Sequence, residues 1–144
     1  MKKINIIYQA QIKNQFIKIG VSEYLLRLSK YIKNELNIVK IQEKKIVFEK
    51  YKKNKNYNIC LTEEGKKFDT INFAQKINGL LLNNDNINFF IGEAEGIEEE
   101  IKRKCDLLLS LSDFTFTSEI ALLVLSEQLY RIFTIINKHP YHRG

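Results

Sequence analysis

The last residues of the chain combine side chains that can carry out chemistry. His139, Pro140, Tyr141, His142 and Arg143 include both histidines and the only proline of the 144 residues. An imidazole exchanges protons near neutral pH, and a guanidinium binds carbonyl, carboxylate or phosphate oxygens. Two histidines three residues apart could also begin a metal site, but the sequence offers no obvious third ligand. We interpret this tail as a candidate for substrate recognition, with a solvated chain end as the alternative.

A hydroxyl-rich loop, Ser112–Thr117, lies about twenty residues before the tail and carries two aromatic rings, Phe114 and Phe116. Hydroxyls, backbone amides and rings together suit a ligand that is partly aromatic and partly polar, such as an adenosine. A loop at the edge of a hydrophobic core has the same composition, so both interpretations stand at this point.

A third candidate is the glycine-flanked turn Gly92–Gly96, which reads GEAEG and follows an apolar run. It is not the GxGxxG pattern of dinucleotide-binding turns, and no P-loop lysine follows it. Glu93 and Glu95 would repel a phosphate, so a ligand without phosphates fits this turn better. Taken alone, however, a glycine turn between a strand and a helix is most often only a turn.

The elements that must position these residues alternate between strand and helix patterns. We predict five strands, at Lys3–Tyr8, Asn37–Ile41, Asn58–Leu61, Asn88–Ile91 and Asp106–Leu111. Apolar residues at helical spacing predict helices at Gln15–Leu36, Phe73–Leu81, Glu98–Lys104 and Ser118–Asn137. The second of these helices would begin after a cap at Asp69 or Thr70. A further short helix is predicted in the lysine-rich segment. Thr62–Lys67 is predicted to be a polar loop. This alternation indicates one α/β domain over residues 1–144, with a mostly parallel sheet covered by helices on both faces.

Ligands of such sheets bind beyond the carboxyl ends of the strands. The loops that follow Leu61, Ile91 and Leu111 are therefore expected to share one edge of the sheet and to form the binding site.

The predicted helix Ser118–Asn137 is apolar on nearly every face, which indicates burial on all sides. A domain of this size has little interior to spare, so we expect the helix to contribute to a dimer interface. Glu127, Tyr130 and Arg131 would then need polar partners, because an unpaired buried charge is costly.

The chain carries a formal net charge of +6, with seven lysines and two glutamates between Lys40 and Lys55. This segment is either a solvated surface or a patch that binds RNA phosphates. Cys60 and Cys105 are far apart in sequence, so neither a zinc site nor a redox pair is expected. Neither a signal peptide nor a membrane-spanning run is apparent, and we expect a cytoplasmic protein.

Several of these motifs together resemble the ribosomal RNA large subunit methyltransferase H family of the SPOUT superfamily. The resemblance is most specific in Glu127–Arg131, which reads EQLYR, and in the tail His139–Arg143, which reads HPYHR. It implies a homodimer with a C-terminal trefoil knot that binds S-adenosyl-L-methionine. The implied reaction is methylation of N3 of a pseudouridine in 23S rRNA of the assembled ribosome, without a metal.

Matching the motifs of the family also implies site residues. The cofactor would be bound by the three strand-end loops, at Leu61, Gly92, Leu111, Ser112, Asp113, Phe114, Thr115 and Phe116. The catalytic residues would be His139, Tyr141, His142 and Arg143, with the tail of one subunit acting on the cofactor site of the other. The chain departs from the family pattern at Glu93, Thr117, Ser118 and Leu122, where the family usually has a glycine, a Pro-His pair and an arginine. Catalytic roles are therefore expected in the tail.

Two other functions fit parts of the sequence. The first alternative is a non-catalytic RNA-binding or ribosome-binding module with the same fold, which the missing histidine and arginine favour and the intact HPYHR tail disfavours. The second is a domain that binds a nucleotide or a flavin, which the missing phosphate loop disfavours.

Overall fold

The computed structural model describes residues 2–32 and 36–143. Five parallel strands form one sheet in the order β2-β1-β4-β3-β5. The strands are β1 (Lys2–Tyr8), β2 (Leu36–Gln42), β3 (Asn56–Lys67), β4 (Asn86–Ile91) and β5 (Leu107–Ser110). The helices are α1 (Gln15–Ser29), α2 (Thr70–Asn83), α3 (Glu99–Lys104) and α4 (Ser118–Ile136), with a single 3-10 turn at Phe48–Lys50. The predicted α/β class and the parallel sheet are confirmed.

Apolar side chains cover both faces of the sheet. On one face, α1, α2 and α4 pack over the strands through residues such as Ile17, Ile77 and Leu125. On the other face, Phe48 and Tyr51 place their rings 5.9 Å and 5.1 Å from the ring of Phe90, and α3 packs beside them. Helical cover on both faces keeps the strands buried, as expected for a parallel sheet.

Asparagines connect three neighbouring strands beneath Tyr51. Asn5, Asn88 and Asn58 stand in register on β1, β4 and β3. The amide of Asn5 donates to the Asn88 carbonyl oxygen at 2.8 Å, and the amide of Asn88 donates to that of Asn58 at 2.9 Å. The amide of Asn58 donates to the backbone carbonyl of Tyr51 at 3.1 Å. Because no buried polar side-chain atom of this row lacks a hydrogen-bond partner, the row stabilises the strand register without an unsatisfied buried group.

The predicted helix Gln15–Leu36 is too long. In the structure α1 ends at Ser29, and Leu36 is the first residue of β2, where it pairs with Lys2. The part of the prediction at residues 33–35 lies outside the described residues. The short helix predicted in the lysine-rich segment is only the 3-10 turn, because Ile46, Phe48 and Tyr51 are inserted into the core.

The predicted polar loop Thr62–Lys67 is wrong, because these residues continue β3. The pairing with β5 shifts register between Leu61 and Lys66, and then resumes with Lys66 opposite Leu109. Gly65 makes this possible: a Cβ atom on it would lie 2.6 Å from the backbone of Leu108 and Leu109. The polar composition of these residues predicted a loop. They nevertheless form a strand, because one face of the sheet meets solvent at this end of β3 and polar side chains are compatible with it.

The helix starts agree with their caps. The Asp69 carboxylate accepts from the backbone N–H of Asn72 at 2.7 Å at the start of α2. The hydroxyl of Thr117 does the same for Ile120 at 3.2 Å at the start of α4. Glu99 and Glu100 begin α3 and Lys102–Lys104 end it, as the helix dipole favours.

Candidate functional site

The second half of β3 and the loops after β4 and β5 meet in a cleft of about 550 Å³ at the carboxyl edge of the sheet. Its floor is apolar and includes Leu61 within β3, Ile91 at the end of β4 and Leu109 near the end of β5. Six of the eight predicted cofactor residues line the cleft, namely Leu61, Gly92, Leu111, Ser112, Phe114 and Phe116. Asp113 and Thr115 belong to the same loop as Ser112 but do not line the cleft, and both are exposed. The structure thus brings the three predicted segments together, although the one after Leu61 is strand and not loop, and their role in binding stays a prediction.

The turn Gly92–Gly96 is tightly closed at one wall of the cleft. Gly96 has a φ of 83°, a conformation that glycine adopts without strain. A Cβ atom on Gly92 would lie 2.5 Å from the carbonyl carbon of Gly96, so a larger residue would force the turn open. The hydroxyl of Ser118 donates to the carbonyl oxygen of Gly92 at 2.5 Å and ties this turn to the start of α4.

The loop between β5 and α4 forms the opposite wall. The hydroxyl of Ser112 accepts from the backbone N–H of Phe114 at 3.0 Å. Asp113 is held outside by an ion pair of 2.8 Å with Lys67. Phe114 is 80% exposed at the mouth of the cleft. A ring this exposed is available to stack on a planar ligand.

Five glutamates also line the cleft: Glu63, Glu64, Glu93, Glu95 and Glu99. Lys102 donates to the carboxylates of Glu64 and Glu99 at 3.0 Å and 3.2 Å, and these bonds raise the pKa of Lys102. The sequence pattern pointed only to the glutamates of the GEAEG turn. Glu63 and Glu64 were missed because residues 62–67 look like a loop without a defined direction, and Glu99 because it reads as part of the acidic start of a helix.

The tail is anchored to the end of α4 by a Schellman motif. The backbone N–H of His139 donates to the carbonyl of Thr134 at 2.8 Å, and that of Lys138 to the carbonyl of Ile135 at 3.0 Å. Lys138 has a φ of 58°, the left-handed conformation that reverses the chain at this point. The ring of His139 then meets the ring of Tyr31 edge-on at 5.2 Å.

Glu127 and Arg131 of α4 hold two of the predicted catalytic residues. The Arg131 guanidinium binds the Glu127 carboxylate at 2.6 Å and lies 3.2 Å from Nδ1 of His142. The Tyr141 hydroxyl donates to the same carboxylate at 2.9 Å. The expectation that Glu127 and Arg131 find polar partners is therefore confirmed.

The ring of Tyr141 is enclosed by its neighbours. It lies 4.6 Å from the ring of Tyr130, and the Arg131 guanidinium lies 4.7 Å from its centre. Burial and the bond to Glu127 raise the pKa of Tyr141 to about 12, so its hydroxyl stays protonated at neutral pH. His139 and Arg143 are exposed. Within the tail, the two histidines and Arg143 therefore remain the candidates for contact with a substrate.

The cleft and the tail lie at opposite ends of α4. Ser118, the first residue of α4, lines the cleft, whereas the tail follows the last residue, Ile136. Nineteen residues separate the two ends, which corresponds to about 28 Å at about 1.5 Å per residue. None of the described tail residues lines the cleft. One copy of the chain thus does not bring its cofactor loops and its predicted catalytic residues together.

The helix α4 is covered mostly within its own chain. Every residue from Ser118 to Ile136 is buried or half-buried, between α1, α2 and the sheet. Large exposed apolar side chains lie instead on the neighbouring helix α1, at Phe16, Ile19 and Leu26, which are 65%, 67% and 62% exposed. The apolar character of α4 therefore does not by itself require a second copy, whereas the surface of α1 is left without a partner.

The two cysteines are neighbours, although their sequence positions gave no sign of it. Cys60 is buried on β3 and Cys105 is half-buried after α3, and both are free thiols. The neighbouring Cys60 thiol and burial raise the pKa of the Cys105 thiol. The sequence separation of the two cysteines did not reveal this proximity, which arises because β3 and β5 are adjacent in the sheet.

Over residues 2–32 and 36–143, no group of three or more His, Cys, Asp or Glu side chains could hold a metal ion. No helix in those ranges is long and apolar enough to span a membrane.

Solved structures show the class of protein that has this fold. A probable methylase family protein from Haemophilus influenzae Rd KW20 aligns with a TM-score of 0.60 over 99% of this chain and 70% of its own, at 12% identity. A probable methyltransferase from Bordetella pertussis Tohama I aligns with a TM-score of 0.57 over 92% of this chain and 94% of its own, at 9% identity. At such low identity these alignments establish a shared fold.

Sequence comparison establishes the family. The family described as "Predicted SPOUT methyltransferase" matches residues 1–142, and the chain therefore belongs to the SPOUT methyltransferases. One relative, named ribosomal RNA large subunit methyltransferase H, from Prochlorococcus marinus (strain MIT 9515), is 41% identical to this chain over 99% of this chain and 96% of its own length. The relative of that name in Dictyoglomus thermophilum is 39% identical, over 96% of this chain and 98% of its own. The resemblance drawn from EQLYR and HPYHR is confirmed.

Proposed function

We propose that this methyltransferase transfers a methyl group from S-adenosyl-L-methionine to ribosomal RNA, at N3 of a pseudouridine in the 23S rRNA of the assembled ribosome. The observation that carries the proposal is the 39–41% identity, over nearly the whole chain, to relatives named for methylation of large-subunit ribosomal RNA. The cleft at the carboxyl edge of the sheet supports it, because that edge is where α/β sheets bind their ligands.

The residues of the cleft fit this cofactor. Leu61, Ile91 and Leu109 offer an apolar floor, and Phe114 offers an exposed ring for the adenine. The closed Gly92 turn forms one wall. The glutamates of the lining suit the positive charges of a sulfonium and an ammonium group. When bound, S-adenosyl-L-methionine would supply a methyl group activated by its sulfonium sulfur, and the sulfur would keep the electron pair of the broken carbon–sulfur bond.

The acceptor nitrogen must lose a proton before or while it accepts the methyl group. We propose that the imidazole of His139 or His142 accepts this proton. Tyr141, whose pKa is raised to about 12, keeps its own proton at neutral pH, and the guanidinium of Arg143 is already protonated, so neither can act as the base. Arg143 is exposed and is proposed to bind a carbonyl oxygen of the target base or an adjacent phosphate. Tyr141 is proposed to position His142 and the base through the Glu127–Arg131 pair.

A second copy would complete the site. The tail lies about 28 Å from the cleft of its own chain, as the length of α4 requires, so it serves the cleft of a partner in a symmetric dimer. The exposed apolar side chains of Phe16, Ile19 and Leu26 on α1 support such an interface.

We also propose that the chain is knotted near its C-terminus, as the family resemblance implies. β5 and the start of α4 are in contact with the end of β3 and with the turn after β4, through Leu108 beside Gly65 and Ser118 on Gly92. Pulling the chain by its termini in optical tweezers would leave a tightened knot. The fully stretched length should then fall short of the approximately 3.6 Å per residue of an open chain; a full-length stretch would refute the knot.

The test of function is transfer of radiolabelled methyl groups to ribosomes that lack this modification, with free ribosomal RNA alongside. Label in one pseudouridine of 23S rRNA is the expected result. If calorimetry shows S-adenosyl-L-methionine bound but no RNA is labelled, the alternative of a non-catalytic RNA-binding module replaces the proposal. The four departures from the family pattern, at Glu93, Thr117, Ser118 and Leu122, are the specific reason to run this control.

A further inference from the structure

The lysine-rich segment between β2 and β3 reaches both edges of the sheet. Its first part follows the end of β2, where the Gln9 side chain donates to the carbonyl of Lys44 at 3.5 Å. Its last part forms the turn into β3, where the N–H of Asn56 donates to the carbonyl of Lys53 at 3.2 Å. The six residues of β4 that it crosses correspond to about 20 Å at about 3.3 Å per residue. The lysines of this run therefore form two groups rather than one patch.

Lys44 and Lys45 lie at the cleft edge, in an acidic neighbourhood. They share a hollow with Glu93, Glu95 and Glu98, on the far side of the turn from the cleft. With the five glutamates of the cleft lining, carboxylates outnumber lysines at this edge. An RNA backbone is repelled here, so these two lysines are poorly placed to hold phosphates.

Lys52, Lys53 and Lys55 lie at the opposite edge, where the strands begin. All three are exposed, and no carboxylate of the described residues lies within 4.0 Å of them. The backbone carbonyl of Lys55 accepts from Asp85 at 2.8 Å and Asn86 at 3.2 Å, which anchors the turn to β4. Lys3 begins β1, and both Lys3 and Asn56 pair with Asn86. Lys3 thus stands two strands from this turn, about 10 Å away at about 4.8 Å per strand.

Two of the acidic groups at this edge are already engaged. One carboxylate oxygen of Asp106 accepts from the backbone N–H of Asn58 at 2.7 Å, and Glu49 lies 4.0 Å from Lys104. The backbone of Asp85 is bonded to Lys3 and Lys55, and its exposed carboxylate, which has no ion pair among the described residues, places one negative charge beside these lysines. The tail with Lys138 and Arg143 also ends at this edge, because α4 runs antiparallel to the strands.

We propose that Lys3, Lys52, Lys53 and Lys55 form a phosphate-binding surface for the RNA substrate at the strand-start edge, distinct from the cleft. The surface holds the RNA backbone by charge, independently of sequence, while the target base enters a cleft whose own edge repels phosphates. This inference rests on the proposed function for the identity of the RNA, but it assigns the binding to residues that the cofactor site does not use.

Two double variants test the proposal with the same change of net charge in the same segment. Lys52→Ala with Lys53→Ala removes the proposed contacts, and Lys44→Ala with Lys45→Ala removes two lysines at the opposite edge. The probe is a fluorescein-labelled oligouridylate, followed by anisotropy between 50 and 200 mM salt. We expect the first variant to bind about tenfold more weakly at the lowest salt, with a salt slope smaller by about 1.4, and the second to bind within about twofold of wild type.

The proposed surface would be refuted if RNA binding weakens equally in both variants, or only in the Lys44 and Lys45 variant. It would also be refuted if neither variant differs from wild type in RNA affinity. Equal thermal midpoints and equal affinity for S-adenosyl-L-methionine show that both variants are folded. This test can be separated from the test of the proposed function. Loss of RNA binding in the first variant, together with no methyl transfer by the wild type, supports the phosphate-binding surface and refutes the proposed methylation activity. Methyl transfer with unchanged KM for ribosomes in both variants supports the enzyme and refutes the surface.

Discussion

Arg143 is the tail residue whose position best separates binding from chemistry, because it is exposed and has no ion pair among the described residues. Arg143→Ala should lower methyl transfer by more than about 100-fold, as expected for loss of a charged group that acts in the transition state. Affinity for S-adenosyl-L-methionine, measured by calorimetry, should change by less than about twofold, since the cofactor loops are untouched.

Two further variants make this prediction specific. Arg143→Lys keeps the charge without the planar fork and should recover part of the activity. Lys30→Ala removes another exposed cation near the same end of the molecule and should leave activity unchanged. An equal loss of cofactor affinity and methyl transfer in Arg143→Ala would show that the residue supports folding or cofactor binding instead.

Asn88 is fully buried at the centre of the asparagine row, where it both donates and accepts. Asn88→Ala should lower the free energy of unfolding by about 2–4 kcal/mol, because the amide of Asn5 and the carbonyl oxygen of Asn58 lose their partner inside the sheet. Urea unfolding followed by circular dichroism measures the change. Asn78→Ala, at an exposed position of α2, should change stability by less than about 0.5 kcal/mol; similar losses in both variants would contradict the role of the row.

At the scale of elements, α4 positions both halves of the proposed site. Its start carries Ser118, which holds the Gly92 turn, and its end carries the Schellman motif that turns the chain into the tail. Glu127 and Arg131 lie two turns and one turn before that end and fasten Tyr141 and His142. The motif EQLYR therefore belongs to the same structural unit as the tail HPYHR, although seven residues separate the two motifs.

Lys138 occupies the left-handed position at which helices usually place glycine. Lys138→Gly should raise the free energy of unfolding by about 0.5–1 kcal/mol, because relief of strain exceeds the added entropy of the unfolded chain. Chemical denaturation measures this difference.

The neighbouring residue provides the control. Asn137 has a φ of −90° and its side chain donates to the carbonyls of Tyr31 at 3.0 Å and Phe133 at 2.7 Å. Asn137→Gly should therefore destabilise the protein, in contrast to Lys138→Gly. If Lys138→Gly also destabilises, the lysine side chain itself makes a contribution larger than the strain.

At the scale of the whole molecule, the separation of cleft and tail leads to a complementation test. Gly92→Ala should damage only the cleft, and Arg143→Ala only the tail. Each variant alone should be inactive. After mixing and subunit exchange, each mixed dimer has one intact cleft beside one intact tail, so activity should return to about one quarter of wild type.

The methyl-transfer assay with ribosomes measures this recovery, and analytical ultracentrifugation confirms that the variants are still dimers. Mixed samples that stay inactive while forming dimers would show that cleft and tail act within one chain, or that neither variant has the damage assigned to it.

The sequence by itself determined the features that depend on local pattern. Alternating strands and helices predicted the parallel sheet, and Asp69 and Thr117 have the residue types that cap helices. The segments after Leu61, Ile91 and Leu111 could be assigned to one edge because the strands are parallel, although the segment after Leu61 is strand and not the predicted loop. The family resemblance came from EQLYR and HPYHR, whose residues lie close together along the chain.

The tertiary structure decided what depends on neighbours that are distant in sequence. The extension of β3 to Lys67 arises from pairing with β5, which the polar residues 62–67 do not reveal. The contact between Cys60 and Cys105, and the partners of Glu127 and Arg131, also depend on which elements are adjacent. The division of one lysine run between two edges has the same cause, since the chain crosses the sheet between Lys45 and Lys52. Periodicity records which face of an element is buried, whereas packing alone decides what that face meets.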